Sequence, residues 1–84
     1  MQTREQILKM LQELFEELFE LPPEKVTLTA SLFTDLDFDS LDAIDLAATL
    51  SKRAGIKLAE EELKSIRTVS DIVELGFRKL NPEA

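Results

Sequence analysis

Between Asp35 and Asp45 the chain reads Asp-Leu-Asp-Phe-Asp-Ser-Leu-Asp-Ala-Ile-Asp, five aspartates around one serine, with no basic residue. Asp39 is a good N-cap, so Ser40 is expected on the first turn of a helix. Free backbone N–H groups and the positive end of the helix dipole there favour an anion attached to the hydroxyl. Asp39, Asp42 and Asp45 recur every three residues, which keeps them near one side of that helix. The chemistry this pattern suits is a serine carrying a covalently attached phosphate-type group beside an acidic surface.

The residue types that are missing narrow the chemistry further. The chain has 84 residues and neither Cys nor His. Without them there is no Ser-His or Cys-His pair, no ordinary zinc site and no disulfide framework. A chain this short is also poorly suited to enclosing a water-free active site, so an enzyme is not expected. Any thiol chemistry must be imported on a prosthetic group. Asp35-x-Asp37-x-Asp39 mimics the start of a calcium-binding EF-hand loop. That loop needs Gly at its sixth position and Glu at its twelfth, where this chain has Ser40 and Leu46. The calcium reading fails.

The net charge is −7, and the whole deficit lies in residues 1–42, where Arg4, Lys9 and Lys25 face ten acids. Such a surface repels nucleic acid and anionic membranes and steers toward basic protein patches. No apolar run approaches the ~20 residues that span a bilayer, and the amino terminus does not read as a secretory signal. A cytoplasmic monomer is expected.

Four helices are needed to position the serine. Thr3 with Gln6 forms a capping box, and Ile7, Leu8, Leu11, Leu14, Phe15, Leu18 and Phe19 follow helical spacing. Glu13, Glu16, Glu17 and Glu20 read as a solvated face, and Pro22 and Pro23 end the helix. From Leu21 to Asp39 no periodicity persists apart from a short turn around Glu24–Val26. Val26, Leu28, Leu32, Phe33 and Leu36 are the candidates for pinning this long connection to the core. A second helix should run from Ser40 to about Ala54, with Gly55 in the left-handed position after it. It carries a core stripe (Ala43, Leu46, Ala47, Leu50, Ala54) and a narrower one (Leu41, Ile44, Ala48) beside Asp42 and Asp45. The second stripe is either a protein-docking face or a second buried face. Ile56 and Leu58 bridge to a brief helix over Glu60–Ile66, with Leu63 and Ile66 inward. Thr68 and Asp71 box the start of the last helix, whose apolar side is Ile72, Val73, Leu75, Phe77 and Leu80. Asn81-Pro82 ends it. The expected fold is all-α: a small four-helix bundle, three longer helices and one short one, in a single domain over 1–84.

This helix order, the long first loop and Asp39-Ser40-Leu41 at the head of the second helix resemble an acyl carrier protein over nearly the whole chain, including Thr68-Val69 before the last helix. An isolated Asp-Ser-Leu would be an ordinary helix start; its place in this order carries the resemblance. The resemblance implies that Ser40 is esterified by 4′-phosphopantetheine, moved from coenzyme A by a magnesium-dependent phosphopantetheinyl transferase. The arm's thiol would carry an acyl group as a thioester, with Asp39 capping beside the attachment point and Leu41 flanking the arm. Asp39, Leu41, Asp42, Ile44, Asp45 and Ala48 would form the face read by a ketosynthase, an acyltransferase and other enzymes with basic docking patches. Leu46, Leu50, Ile66, Ile72 and Phe33 would part to shelter an acyl chain.

Three departures from the fatty-acid carriers stand out. Asp37 replaces a common Gly, Ala48 a larger aliphatic residue, and Ser51-Lys52-Arg53 a helix end that is usually acidic. The cations complement the helix dipole or mark different partners. The function implied is delivery of acyl intermediates in fatty-acid, polyketide-like or related specialised synthesis. An aminoacyl or D-alanyl carrier, and an unmodified acidic interaction module, are the alternatives.

Overall fold

The computed structural model describes residues 3–81. Four α-helices form: α1 (Arg4–Phe19), α2 (Ser40–Ala54), α3 (Glu60–Ser65) and α4 (Val69–Leu80), with a 3₁₀ turn at Pro23–Lys25. Among the described residues the extended structure amounts to one isolated antiparallel bridge, Ser31 with Thr68. The all-α bundle of three longer helices and one short one is as expected.

The caps explain where the helices begin. Thr3 accepts from the Gln6 amide and Gln6 returns the bond, starting α1, and Thr68 with Asp71 does the same for α4. Gly55 ends α2 at φ 69°, in the left-handed region that costs Gly nothing. The prolines do not end α1. It stops two residues earlier, where Glu20 adopts φ 56° and its amide bonds Glu16 O, and Pro22 instead leads into the 3₁₀ turn. The expected stop at Asn81 holds, and Pro82 lies outside the described residues.

One hydrophobic core joins all the longer helices. α1 contributes Ile7, Leu11, Leu14 and Phe15, α4 contributes Val69, Ile72 and Val73, and α2 only Leu46 and Leu50. Ile56 inserts from the α2–α3 link and Ile66 from the end of α3. Gly76 lets α4 lie close: a Cβ there would sit 3.3 Å from Ile56 Cδ1 and 3.4 Å from Ile7 Cγ2. The long connection is pinned by Val26, Leu32 and Leu36 as expected, but also by Ala30 and Phe38. Leu28 and Phe33, expected to pin it, are 45% and 39% exposed. A non-periodic segment gives no spacing from which to assign its inward residues, so hydrophobicity alone misplaced these two.

Backbone bonds hold this connection against the α3–α4 junction. Leu32 N donates to Arg67 O at 2.9 Å, Val69 N to Ala30 O at 3.1 Å and Ser70 N to Leu28 O at 3.0 Å. The carboxylate of Asp71 accepts from the amides of Arg67 (2.8 Å) and Thr68 (3.0 Å). The Arg67 amide is the largest cause holding the Asp71 carboxyl below its ordinary range.

Candidate attachment site at Ser40

Asp39 Oδ1 accepts from the Asp42 amide at 2.9 Å, and Asp42 Oδ2 accepts from the Asp39 amide at 3.2 Å. This reciprocal capping box fixes the first turn of α2 and leaves Ser40 exposed on it. The amides of Ser40 and Leu41 have no hydrogen-bond partner among the described residues. Two free donors thus flank the serine at the positive end of the helix dipole, a setting that favours an anion on its oxygen.

The segment before the box sets its position. Asp37 adopts φ 58°, the left-handed conformation that Asp tolerates better than most residues. An aspartate thus makes the sharp turn here, at the position where the resemblance led to the expectation of a Gly. It brings the Phe38 amide onto Leu32 O at 2.8 Å and buries the Phe38 ring against Phe15 and Phe19, with centroids 5.3 and 4.6 Å apart. Phe38 is the site-positioning residue that sequence reasoning missed. Its signal was an apolar side chain directly preceding an N-cap.

The second stripe of α2 faces solvent. Leu41 is 70% and Ile44 55% exposed, Ala48 and Asp45 are exposed, and Asp42 is half-buried in its box. The alternative that both stripes are buried is thereby excluded. Large apolar side chains exposed beside acids on one helix face form the kind of patch that marks a protein contact.

At the other end of α2, Arg53 binds Glu17 of α1 through two bonds, of 2.5 and 2.7 Å. The hydrogen bonds from the guanidinium hold the Glu17 carboxyl below its ordinary range, and Arg53 is raised in turn. Arg53 thus ties two helices together, and Glu17 is more than a solvated face. Lys52 has no ion pair among the described residues and is exposed.

Between the irregular segment and helices α2, α3 and α4 lies an apolar cavity of ≈ 10 Å³ bordered by Phe33, Phe38, Leu46, Leu63, Ile66 and Ile72. It has room for at most one water, and nothing polar to hold it. Leu50, expected to border it, does not. An open groove of ≈ 330 Å³ runs outside it from Ser40, between α2 and α3. The aspartates do not converge on a cation: Asp35 accepts from the Ser31 amide at 2.7 Å while Asp39 caps α2. No group of metal-ligating side chains assembles among the described residues.

A helical bundle presenting an exposed serine at a capped, acidic helix start defines a carrier-type module. The family model described as "Phosphopantetheine attachment site" matches residues 9–75. Acyl carrier protein 2 of Ralstonia nicotianae is 44% identical over 71 residues, covering 84% of this chain and 88% of that protein. The meromycolate extension acyl carrier protein of Mycolicibacterium smegmatis is 39% identical over 98% of this chain and 85% of its own length. The crystal structure of an acyl carrier protein from Thermotoga maritima superimposes with a TM-score of 0.82 at 27% identity, covering 96% and 94% of the two chains. The chain belongs to the acyl carrier protein family, whose prosthetic group is phosphopantetheine. No helix among the described residues is long and apolar enough to cross a membrane.

Proposed function

We propose that this chain is a single-domain, monomeric, cytoplasmic carrier whose phosphopantetheine is esterified to Ser40. The observation that carries the assignment is the exposed Ser40 hydroxyl between two unpartnered amides on a boxed helix start. When bound, the group supplies a terminal thiol that holds an acyl chain as a thioester. Asp39 and Asp42 keep the helix start rigid, so the serine oxygen is presented in one geometry to a phosphopantetheinyl transferase. Leu41, Ile44, Ala48 and Asp45 form an apolar-acidic face that suits basic, apolar-rimmed docking patches on a ketosynthase, an acyltransferase and other acyl-processing enzymes. Leu46, Ile66, Ile72 and Phe33 border a space that widens to shelter an acyl chain.

The cargo we assign is an acyl intermediate of fatty-acid, polyketide-like or related specialised synthesis. The names of the relatives, which include meromycolate extension carriers, support acyl over aminoacyl cargo. The test is the intact mass of the apo chain and of Ser40→Ala after incubation with coenzyme A, magnesium and a broad-specificity transferase. One phosphopantetheine adduct on the wild type and none on the variant is expected. No adduct on either would favour an unmodified interaction module, whose binding survives Ser40→Ala and is lost on reversing Asp42 and Asp45.

A further inference from the structure

The ≈ 330 Å³ groove that begins at Ser40 is large enough for a small-molecule ligand by general standards, for which pockets run ~300–1,000 Å³. Its α2 wall is Ala43 and Ile44; its far wall carries Leu63, Lys64 and Arg67. Ser40 itself stands beside Asp39 and Asp42, so any anion fixed to its oxygen enters an acidic neighbourhood. The groove supplies the opposite charge.

Arg67 is held from three directions. Its amide donates to Asp71 Oδ2 at 2.8 Å, its carbonyl accepts from Leu32 N at 2.9 Å, and its Nη1 donates to Lys64 O at 3.0 Å. Two of the four arginines, Arg4 and Arg53, are paired with carboxylates at 2.6 and 2.5 Å. Arg67 makes no close ion pair among the described residues, although its charge acts on the nearby Asp71 carboxylate. A preorganised guanidinium with unused donors is the residue type that best recognises a phosphate. Lys64 adds a second cation, only loosely engaged by Glu60 at 3.9 Å, the one acid in the groove.

We infer that Arg67, assisted by Lys64, is a subsite for the phosphodiester of the prosthetic arm and lays the arm along the α2–α3 groove against Leu63 and Ile44. This rests on the attachment of the arm at Ser40. The apolar floor takes the arm's methyl and methylene groups, and the cations offset the repulsion from Asp39 and Asp42. Docking of a basic partner on the α2 face would compete for the same phosphate and free the arm.

The test uses holo protein of verified mass, isotope-labelled for NMR. In the wild type, NOEs from arm protons to Leu63 and Ile44 are expected, with the Arg67 Nε–H resonance shifted between apo and holo. The NOEs should be lost in Arg67→Gln, largely restored in Arg67→Lys and weakened by high salt. Should Arg67→Gln perturb the apo fold, Lys64→Gln and the salt titration decide, each expected to weaken the NOEs. Absent NOEs, or NOEs indifferent to these changes and to salt, overturn the subsite. A chain that takes no adduct overturns the attachment at Ser40 instead, so the two failures are distinguishable.

Discussion

The two sides of the bundle are built for different purposes. On one side α1 and α4 interlock through Ile7, Leu11, Phe15, Ile72 and Val73, all essentially without solvent contact, and Gly76 lets Ile7 and Ile56 close in on the α4 backbone. On the other, α3 has six residues, none fully buried, and it leaves both a cavity and an open groove against α2. Side chains that fill space leave no alternative arrangement at low cost, whereas a short helix held mainly through Leu63 and Ile66 can shift. Ser40 lies on the yielding side, and its own helix start is locked by the Asp39–Asp42 box. A carrier needs both: a fixed handle and an adjustable wall beside it.

Core truncation should expose this asymmetry most strongly. Leu11→Ala is expected to cost ~2–5 kcal/mol, as a fully buried leucine leaves a cavity that rigid neighbours cannot fill. Leu63→Ala, on the yielding side and only half-buried, should cost about 1 kcal/mol. Chemical denaturation of both variants checks the ordering, and equal losses would break it.

Acidification should also act at the junction between the two sides. The Asp71 carboxyl is held below its ordinary pKa of about 3.9 by the amides of Arg67 and Thr68. With a depressed folded-state pKa, its contribution is complete above that ordinary value and is lost as pH falls through the lower one. Stability measured by urea midpoint should therefore drop below about pH 4, and Asp71→Asn should be less stable at neutral pH with a shallower acid decline.

The smallest effect concerns the turn before the serine. Asp37→Gly removes the side-chain penalty of the left-handed conformation but frees the unfolded chain. The two terms oppose, so the net change in thermal stability should be within about 1 kcal/mol, with adduct formation at Ser40 unaffected.

How far the sequence could be read follows the same division. α1, α2 and α4 announced themselves because their caps are local: Thr3 and Gln6, Asp39 and Asp42, Thr68 and Asp71 lie three residues apart. Ser40 was legible for that reason, together with the exposed stripe Leu41, Ile44 and Ala48. What escaped depends on chain regions far apart in sequence. Phe38 finds Phe15 and Phe19 only after folding, Arg53 meets Glu17 across 36 residues, and Arg67 reaches the Ser40 groove through its bonds to Leu32 and Asp71. In the irregular segment before α2, Ala30 is buried while Leu28 and Phe33 stay partly exposed, and no periodicity records that choice.

Amide hydrogen exchange, comparing the holo chain with the same chain loaded with a medium-length acyl group, tests the two-sided account most directly. Changes in protection confined to the Leu32–Phe38 segment, the first half of α2 and α3, with α1 and α4 unaltered, are the expected result. Changes spread evenly over the bundle, or largest in the α1–α4 pair, would contradict it.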